Sequence, residues 1–157
     1  MPIQQICTVA SMTQLDASTW WMVLEVGKLV EQYGLTGGQF LHIKCGDDQL
    51  LRRPISVAIA GWDEPEDLAT LIFEVRGEGT KWLSQRREGD KLNVLGPLGN
   101  SFDVSREGHY LLVGGGIGVP PLLGCAGACG GASTAILGFR SRDRALLLEE
   151  FAKDCLD

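Results

Sequence analysis

The sequence predicts an antiparallel β domain, barrel or sandwich, followed by the start of a parallel α/β domain. Three observations carry this. About six short β-favouring runs, separated by Gly, Asp and Asn breaks, fill roughly the first hundred residues. Past Gly96 the pattern changes to strand, glycine turn, helix, strand, helix. Only about fifty residues follow that change, too few to build a doubly wound sheet with both faces covered.

The β runs come in order. Residues 3–9 alternate loosely, and 20–26 are densely apolar with β-favouring side chains. Residues 39–44 set Phe40 and His42 against Leu41 and Ile43, the two-residue period of a half-buried strand. Residues 55–60, 69–75 and 91–95 continue the series. Breaks fall at 34–38, 46–48, 61–67 and 88–90, where Gly, Asp and Asn favour turns. One clear helix interrupts them, at 80–86, with Thr80 placed to cap its start.

Tyr110-Leu111-Leu112-Val113 is a continuous apolar run, the pattern of a strand buried on both faces. Gly114-Gly115-Gly116-Ile117-Gly118 turns the chain, and Pro120-Pro121 suit a first helical turn. A second buried strand is expected at 134–139. A helix is expected at 144–153, carried by Leu147, Leu148, Phe151 and Ala152. The junction between the two parts falls within 101–108, and the chain has no internal repeat or low-complexity tract.

Of the 157 residues, 45% are hydrophobic and 22% charged, which supports a packed globular core and excludes disorder. Net charge is −6 and the pI about 4.9, a poor balance for nucleic-acid binding, which needs clustered Lys and Arg. The basic clusters Arg52-Arg53, Arg86-Arg87 and residues 140–144 are short and separated. The N-terminus lacks a signal-peptide pattern, and no apolar stretch approaches the ~20 residues of a membrane span. Five irregularly spaced cysteines argue against a disulfide framework, and point to the cytoplasm.

Three segments carry candidate chemistry. Arg53-Pro54-Ile55-Ser56 joins a guanidinium, a φ-locked proline and a hydroxyl at a strand start, and Arg pairs bidentately with phosphate oxygens. Gly77-Glu78-Gly79-Thr80 leads into the short helix with backbone open to close approach by an anion. The glycine run 114–118 follows a strand but departs from the strict G-x-G-x-x-G fingerprint. No acidic residue closes the second strand, where Gly138-Phe139-Arg140-Ser141 stands. Taken singly, each segment also fits a bland reading: a surface Arg before a strand, a capped helix start, a tight turn.

Taken in order, with Gly38-Gln39-Phe40-Leu41-His42-Ile43 before them and Gly96-Pro97-Leu98-Gly99-Asn100 between, these segments resemble the ferredoxin-NADP reductase superfamily. Within it they are most similar to the electron-transfer subunits of dihydroorotate dehydrogenase. The resemblance implies a six-stranded antiparallel Greek-key β-barrel binding FAD over residues 1–102. It also implies a partial NAD-binding, Rossmann-like α/β domain over 103–157. Arg53 would meet an FAD phosphate, Pro54 and Ile55 would line the isoalloxazine, and Ser56 would approach its reactive nitrogen. Ile72, Phe73 and Glu74 fall on the strand that touches FAD, Gly79 and Thr80 would hold the pyrophosphate, and Gly115 and Gly116 would face the nicotinamide.

Further implications concern the reaction. Such proteins take electrons from NADH onto FAD and pass them through a 2Fe–2S cluster to the FMN of a catalytic subunit, in a heterotetramer serving pyrimidine biosynthesis. Two departures stand out. An aromatic residue is common where Ile55 stands, and a basic one where Glu74 stands. The plant-ferredoxin-like cysteine run is absent, so Cys125, Cys129 and Cys155 read as small buried residues and no cluster is expected. The flavin subunit of a hydrogenase, sulfite reductase or NADH-ferredoxin transhydrogenase shares these segments, and a truncated remnant without flavin is the non-enzymatic alternative. His42, His109, Trp20, Trp21 and Trp82 read as structural or surface residues, and 63–67 as a solvated acidic loop.

Overall fold

A computed structural model describes residues 1–61 and 67–156. The acidic loop expected at 63–67 therefore lies, apart from Asp67, outside the described residues. Strands β1 (Ile3–Gln14), β2 (Thr19–Glu25), β3 (Phe40–Ile43), β4 (Arg53–Ala60), β5 (Leu68–Glu74) and β6 (Lys91–Leu98) close into a barrel in the order β1-β2-β5-β4-β3-β6. Every neighbouring pair is antiparallel. Closure removes the free edges that an open sheet would expose.

Alternation decides what fills the barrel. Met22 and Leu24 of β2, Ile55 and Val57 of β4, Leu71 and Phe73 of β5, and Leu92 and Val94 of β6 point inward and are buried. Each such side chain contributes roughly 1.5–3 kcal/mol by leaving water. Arg52, just ahead of β4, pins three strands from outside. Its Nη1 donates to the carbonyls of His42 (3.2 Å) and Asn93 (2.9 Å), and its Nη2 to Asn93 Oδ1 (2.6 Å) and Gln4 Oε1 (3.2 Å).

Two short helices attach to the barrel: α1 (Lys28–Glu31) and α2 (Glu78–Ser84). The first escaped the sequence because four residues show no helical periodicity. The second starts earlier than expected, with Gly77 as its N-cap. Thr80 is thus inside the first turn and is not the cap. Its Oγ1 reaches back to accept the backbone N–H of Arg76 (2.9 Å) and Gly77 (3.3 Å).

Beyond the barrel come β7 (Tyr110–Gly115), a 3-10 turn at Gly116–Gly118, α3 (Pro121–Ala128), β8 (Ser133–Gly138), a 3-10 turn at Arg142–Arg144 and α4 (Leu148–Asp154). β7 and β8 pair in parallel, Tyr110 opposite Ser133 through Gly115 opposite Gly138. Leu112 joins Leu122, Leu123 and Phe151 in one apolar cluster. The opposite face is open: Leu111 is 61%, Val113 65% and Ile136 55% exposed. The expectation of strands buried on both faces is therefore corrected, because α3 and α4 share the cluster on one side of the sheet. The expected helix 144–153 is shortened as well. Residues 142–144 form the 3-10 turn, and Leu147, with φ 63°, breaks the α conformation just before α4.

Helix α3 meets the barrel through glycine. A Cβ on Gly124 would lie 2.6 Å from the Ala58 carbonyl oxygen and 3.0 Å from Gly37 Cα, so backbone meets backbone there. Ala58 and Ile72, on the outside of the barrel, belong to the same cluster as α3. The α/β segment is thereby seated on β4 and β5.

Candidate functional site

The first two candidate segments meet in space. Gly79, in the first turn of α2, lies against the Arg53 side chain so closely that a Cβ there would overlap the guanidinium. Arg53 Nη1 donates to the Leu51 carbonyl (2.8 Å) and Nη2 to Gln49 Oε1 (2.8 Å), both in the chain just before β4. An arginine that is held in place yet keeps spare N–H groups suits an anion. Of the adjacent pair, Arg52 makes four hydrogen bonds across three strands and Arg53 two, to the chain just before it.

Strand alternation sorts the other candidates. Pro54 and Ser56 are exposed on the outer face of β4, whereas the Ile55 side chain lies in the barrel core. On β5 the Phe73 side chain also points into the core, and Ile72 points outward, covered by the α3 cluster. Glu74, half-buried, takes two hydrogen bonds from Arg76, from Nε (2.9 Å) and Nη2 (2.6 Å). The Thr80 hydroxyl is engaged in closing its own turn, as described above.

A cleft of about 430 Å³ separates the end of β5 from the α/β segment. Asp16, Thr19, Glu74 and Arg76 form its barrel wall. Gly116, Ile117, Phe139, Arg140, Ser141 and Arg144 form the wall opposite. Gly116 turns with φ 53°, a conformation that favours glycine. Glu74 and Gly116 are the two sequence candidates that reach this cleft. Arg53, Gly79 and Thr80 lie outside its lining.

Sequence reasoning missed Asp16, Ser18, Arg76, Arg140 and Arg144. Signals existed for some of them. Asp16-Ala17-Ser18 is an Asx-turn pattern, and residues 140–144 stand out as a basic cluster at the end of the second α/β strand. Burial opposes ionisation of Asp16, but the N–H groups of Ser18 and Thr19, the Thr19 side chain and the Arg144 charge outweigh it. The carboxyl sits below its usual value.

The cysteines take no part in this region. All five are free. Burial, reinforced by Cys129 and Cys155 nearby, pushes the Cys125 thiol up to about 11. Cys125 should therefore be a neutral thiol at pH 8, alkylated by iodoacetamide far more slowly than a free cysteine. Because the folded value is raised from about 9, its stabilising effect is complete below pH 9 and is lost as pH rises toward about 11. A urea midpoint falling across that window, less so in Cys125→Ala, would check the sign.

No helix among the described residues is long and apolar enough to cross a membrane. Among those residues no three His, Cys, Asp or Glu side chains are placed to hold a metal ion.

No protein-family model matches the chain. Curated relatives do. The dihydroorotate dehydrogenase B (NAD(+)) electron transfer subunit of Fusobacterium nucleatum is 41% identical over 155 residues, 94% of this chain and 58% of that protein. The subunit of the same name from Bacillus pumilus is 44% identical over 152 residues, 92% of this chain and 57% of that one. Among solved structures, an NADH-dependent reduced ferredoxin-NADP oxidoreductase studied for flavin-based electron bifurcation superposes with TM-score 0.79. It is 29% identical, covering 92% of this chain and 52% of that one. The ferredoxin-NADP+ reductase of Plasmodium falciparum shares the fold at 13% identity, with TM-score 0.78 over 97% of this chain and 68% of that one. At 41–44% identity, the chain is similar to the dihydroorotate dehydrogenase B electron transfer subunits, of whose length it spans 57–60%.

Proposed function

We propose that this chain is the FAD-holding part of an electron-transfer subunit that passes electrons from NADH to a cytoplasmic dihydroorotate dehydrogenase catalytic subunit carrying FMN. The observation that carries the reading is the meeting of Arg53 with Gly79 beside the outward-facing Pro54 and Ser56. Arg53 would grip an FAD phosphate, and the side-chain-free backbone at Gly79 leaves room for it, with Thr80 holding the turn beneath. Pro54 and Ser56 would present a flat apolar surface and one hydroxyl to the isoalloxazine. Ile55 and Phe73, whose side chains are inside the barrel, would meet it through backbone alone. Ile72 would keep its edge dry, and Glu74, neutralised by Arg76, would border it at the cleft. Gly115 and Gly116 would give the donor side a wall without side chains.

When bound, FAD accepts an electron pair and releases electrons singly, which is the chemistry such a relay needs. The protein's share is to position it and to exclude water. We assign the barrel to residues 1–102 and the donor-facing part to 103–157, and we expect a heterotetramer with the catalytic subunit. A titration of purified chain with FAD, followed by visible flavin absorbance of the protein fraction, tests the central point. A yellow protein that releases FAD on denaturation supports it, and a chain that stays colourless at saturating FAD overturns it. Co-purification with a dihydroorotate-oxidising subunit, against a hydrogenase or sulfite reductase partner, decides the electron acceptor.

One variant separates site from scaffold. In Gly79→Ala the added methyl meets a flexible arginine rather than backbone, so the fold should accommodate it. The guanidinium must move, and FAD affinity is expected to fall by roughly tenfold, the worth of a hydrogen bond to a charged group. Circular-dichroism melting alongside flavin titration checks both halves.

A further inference from the structure

Two kinds of contact join the barrel to the α/β segment. One is the apolar packing of α3 on β4 and β5, through the glycine seat and the cluster that holds Ala58 and Ile72. The other is ionic: Arg144, on the 3-10 turn after β8, donates from Nη1 to Ser18 Oγ (2.6 Å) and approaches Asp16 Oδ2 (3.4 Å) and Oδ1 (3.5 Å). Asp16 is prepared for this partner. Its Oδ1 accepts the N–H of Ser18 (2.7 Å) and of Thr19 (2.8 Å), which fixes the carboxylate at the tip of the β1–β2 hairpin. Its side chain is only 11% exposed, unlike that of an ordinary surface ion pair.

We propose that Asp16 and Ser18 are positioning residues that clasp Arg144 and thereby fix the width of the cleft between Glu74–Arg76 and the Gly116–Ile117 turn. The physical case is one of constraint. Apolar packing of α3 on β4 and β5 is non-directional, whereas a hydrogen-bonded ionic contact across the cleft fixes one geometry. Ser18 also carries the clasp toward the flavin side, since its hydroxyl lies 3.5 Å from Glu74 Oε1. Arg144 thus connects, through Ser18, to the carboxylate that Arg76 neutralises. Where the cleft serves as the approach to a flavin, as proposed above, its width sets the distance between donor and acceptor. That functional consequence rests on the preceding reading, while the clasp itself does not.

Hydrogen exchange with mass-spectrometric readout tests the clasp on the whole chain, with and without FAD. Asp16→Asn keeps the turn-forming oxygen and drops the charge, and Arg144→Met keeps the stem and drops the donors. Each should speed exchange at residues 116–118 and 142–146 by roughly three- to tenfold, with melting temperature nearly unchanged. The double variant should not exceed Arg144→Met, because that substitution already removes every contact of the clasp, the Ser18 hydrogen bond included. Raising salt from about 0.05 to 0.5 M should reproduce the effect in the parent chain and not in the variants. Unchanged exchange in both single variants, or effects that add in the double, would overturn the proposal. A chain that binds no FAD yet shows the coupled exchange sinks the flavin reading and leaves the clasp standing. A flavin-loaded chain with unchanged exchange does the reverse.

Discussion

Replacing Arg53 with alanine should weaken FAD binding by roughly ten- to 150-fold, the equivalent of the ~1.5–3 kcal/mol that a charge-assisted hydrogen bond contributes. The side chain is already held by the Leu51 carbonyl and Gln49, so the entropy of ordering it is spent before any ligand arrives. The diagnostic comparison is its neighbour. Arg52→Ala removes four hydrogen bonds that tie Gln4, His42 and Asn93 across β1, β3 and β6. It should lower the melting temperature, while flavin affinity in the folded fraction changes little. Equal flavin affinities in Arg53→Ala and the parent, measured by fluorescence quenching, would remove Arg53 from the site. Arg53→Lys keeps the charge without the planar fork and should fall between.

The second large effect concerns the seat of α3. Gly→Ala in a helix normally stabilises by up to ~1 kcal/mol, because glycine gives up more backbone freedom on folding. At Gly124 the sign should reverse. The new methyl would lie 2.6 Å from the Ala58 carbonyl oxygen and 3.0 Å from Gly37 Cα, and neither is a side chain that can swing away. Overpacking of this kind costs about 1–3 kcal/mol, or roughly 3–10 °C in melting temperature for a chain of this size. Gly118→Ala is the control, because a Cβ there meets nothing within 4 Å. A Gly124→Ala protein as stable as the parent would mean that α3 does not rest on β4 in solution.

Much of this was legible from local pattern. The two-residue period of β3 and the turn chemistry between the strands placed most barrel elements within a few residues. The Pro120-Pro121 pair correctly marked the start of α3. Where reading failed, the cause was tertiary. Thr80 looked like a cap because a helix start is scored on the hydroxyl nearest the pattern. Its real place, reaching back to Arg76 and Gly77, depends on how the preceding strand ends. Leu111, Val113 and Ile136 looked buried because apolar runs report what a strand can bury, not what covers it.

The candidate site divides along the same line. Composition and motif order alone determined the fold class and the residue types proposed to face an anion: an arginine before a proline, and a glycine at a helix start. The tertiary structure decided that Arg52 spends four hydrogen bonds on β1, β3 and β6 while Arg53 spends two on the chain just before it. It also decided that the side chains of Ile55 and Phe73 face inward, and that Asp16, Ser18 and Arg144 meet across the cleft. The physical reason is range. Backbone conformation and the inside–outside period are set by neighbours a few residues apart, and so are written locally. Hydrogen-bond commitments and cleft walls join residues over a hundred positions apart, and only barrel closure and the seating of α3 bring them together.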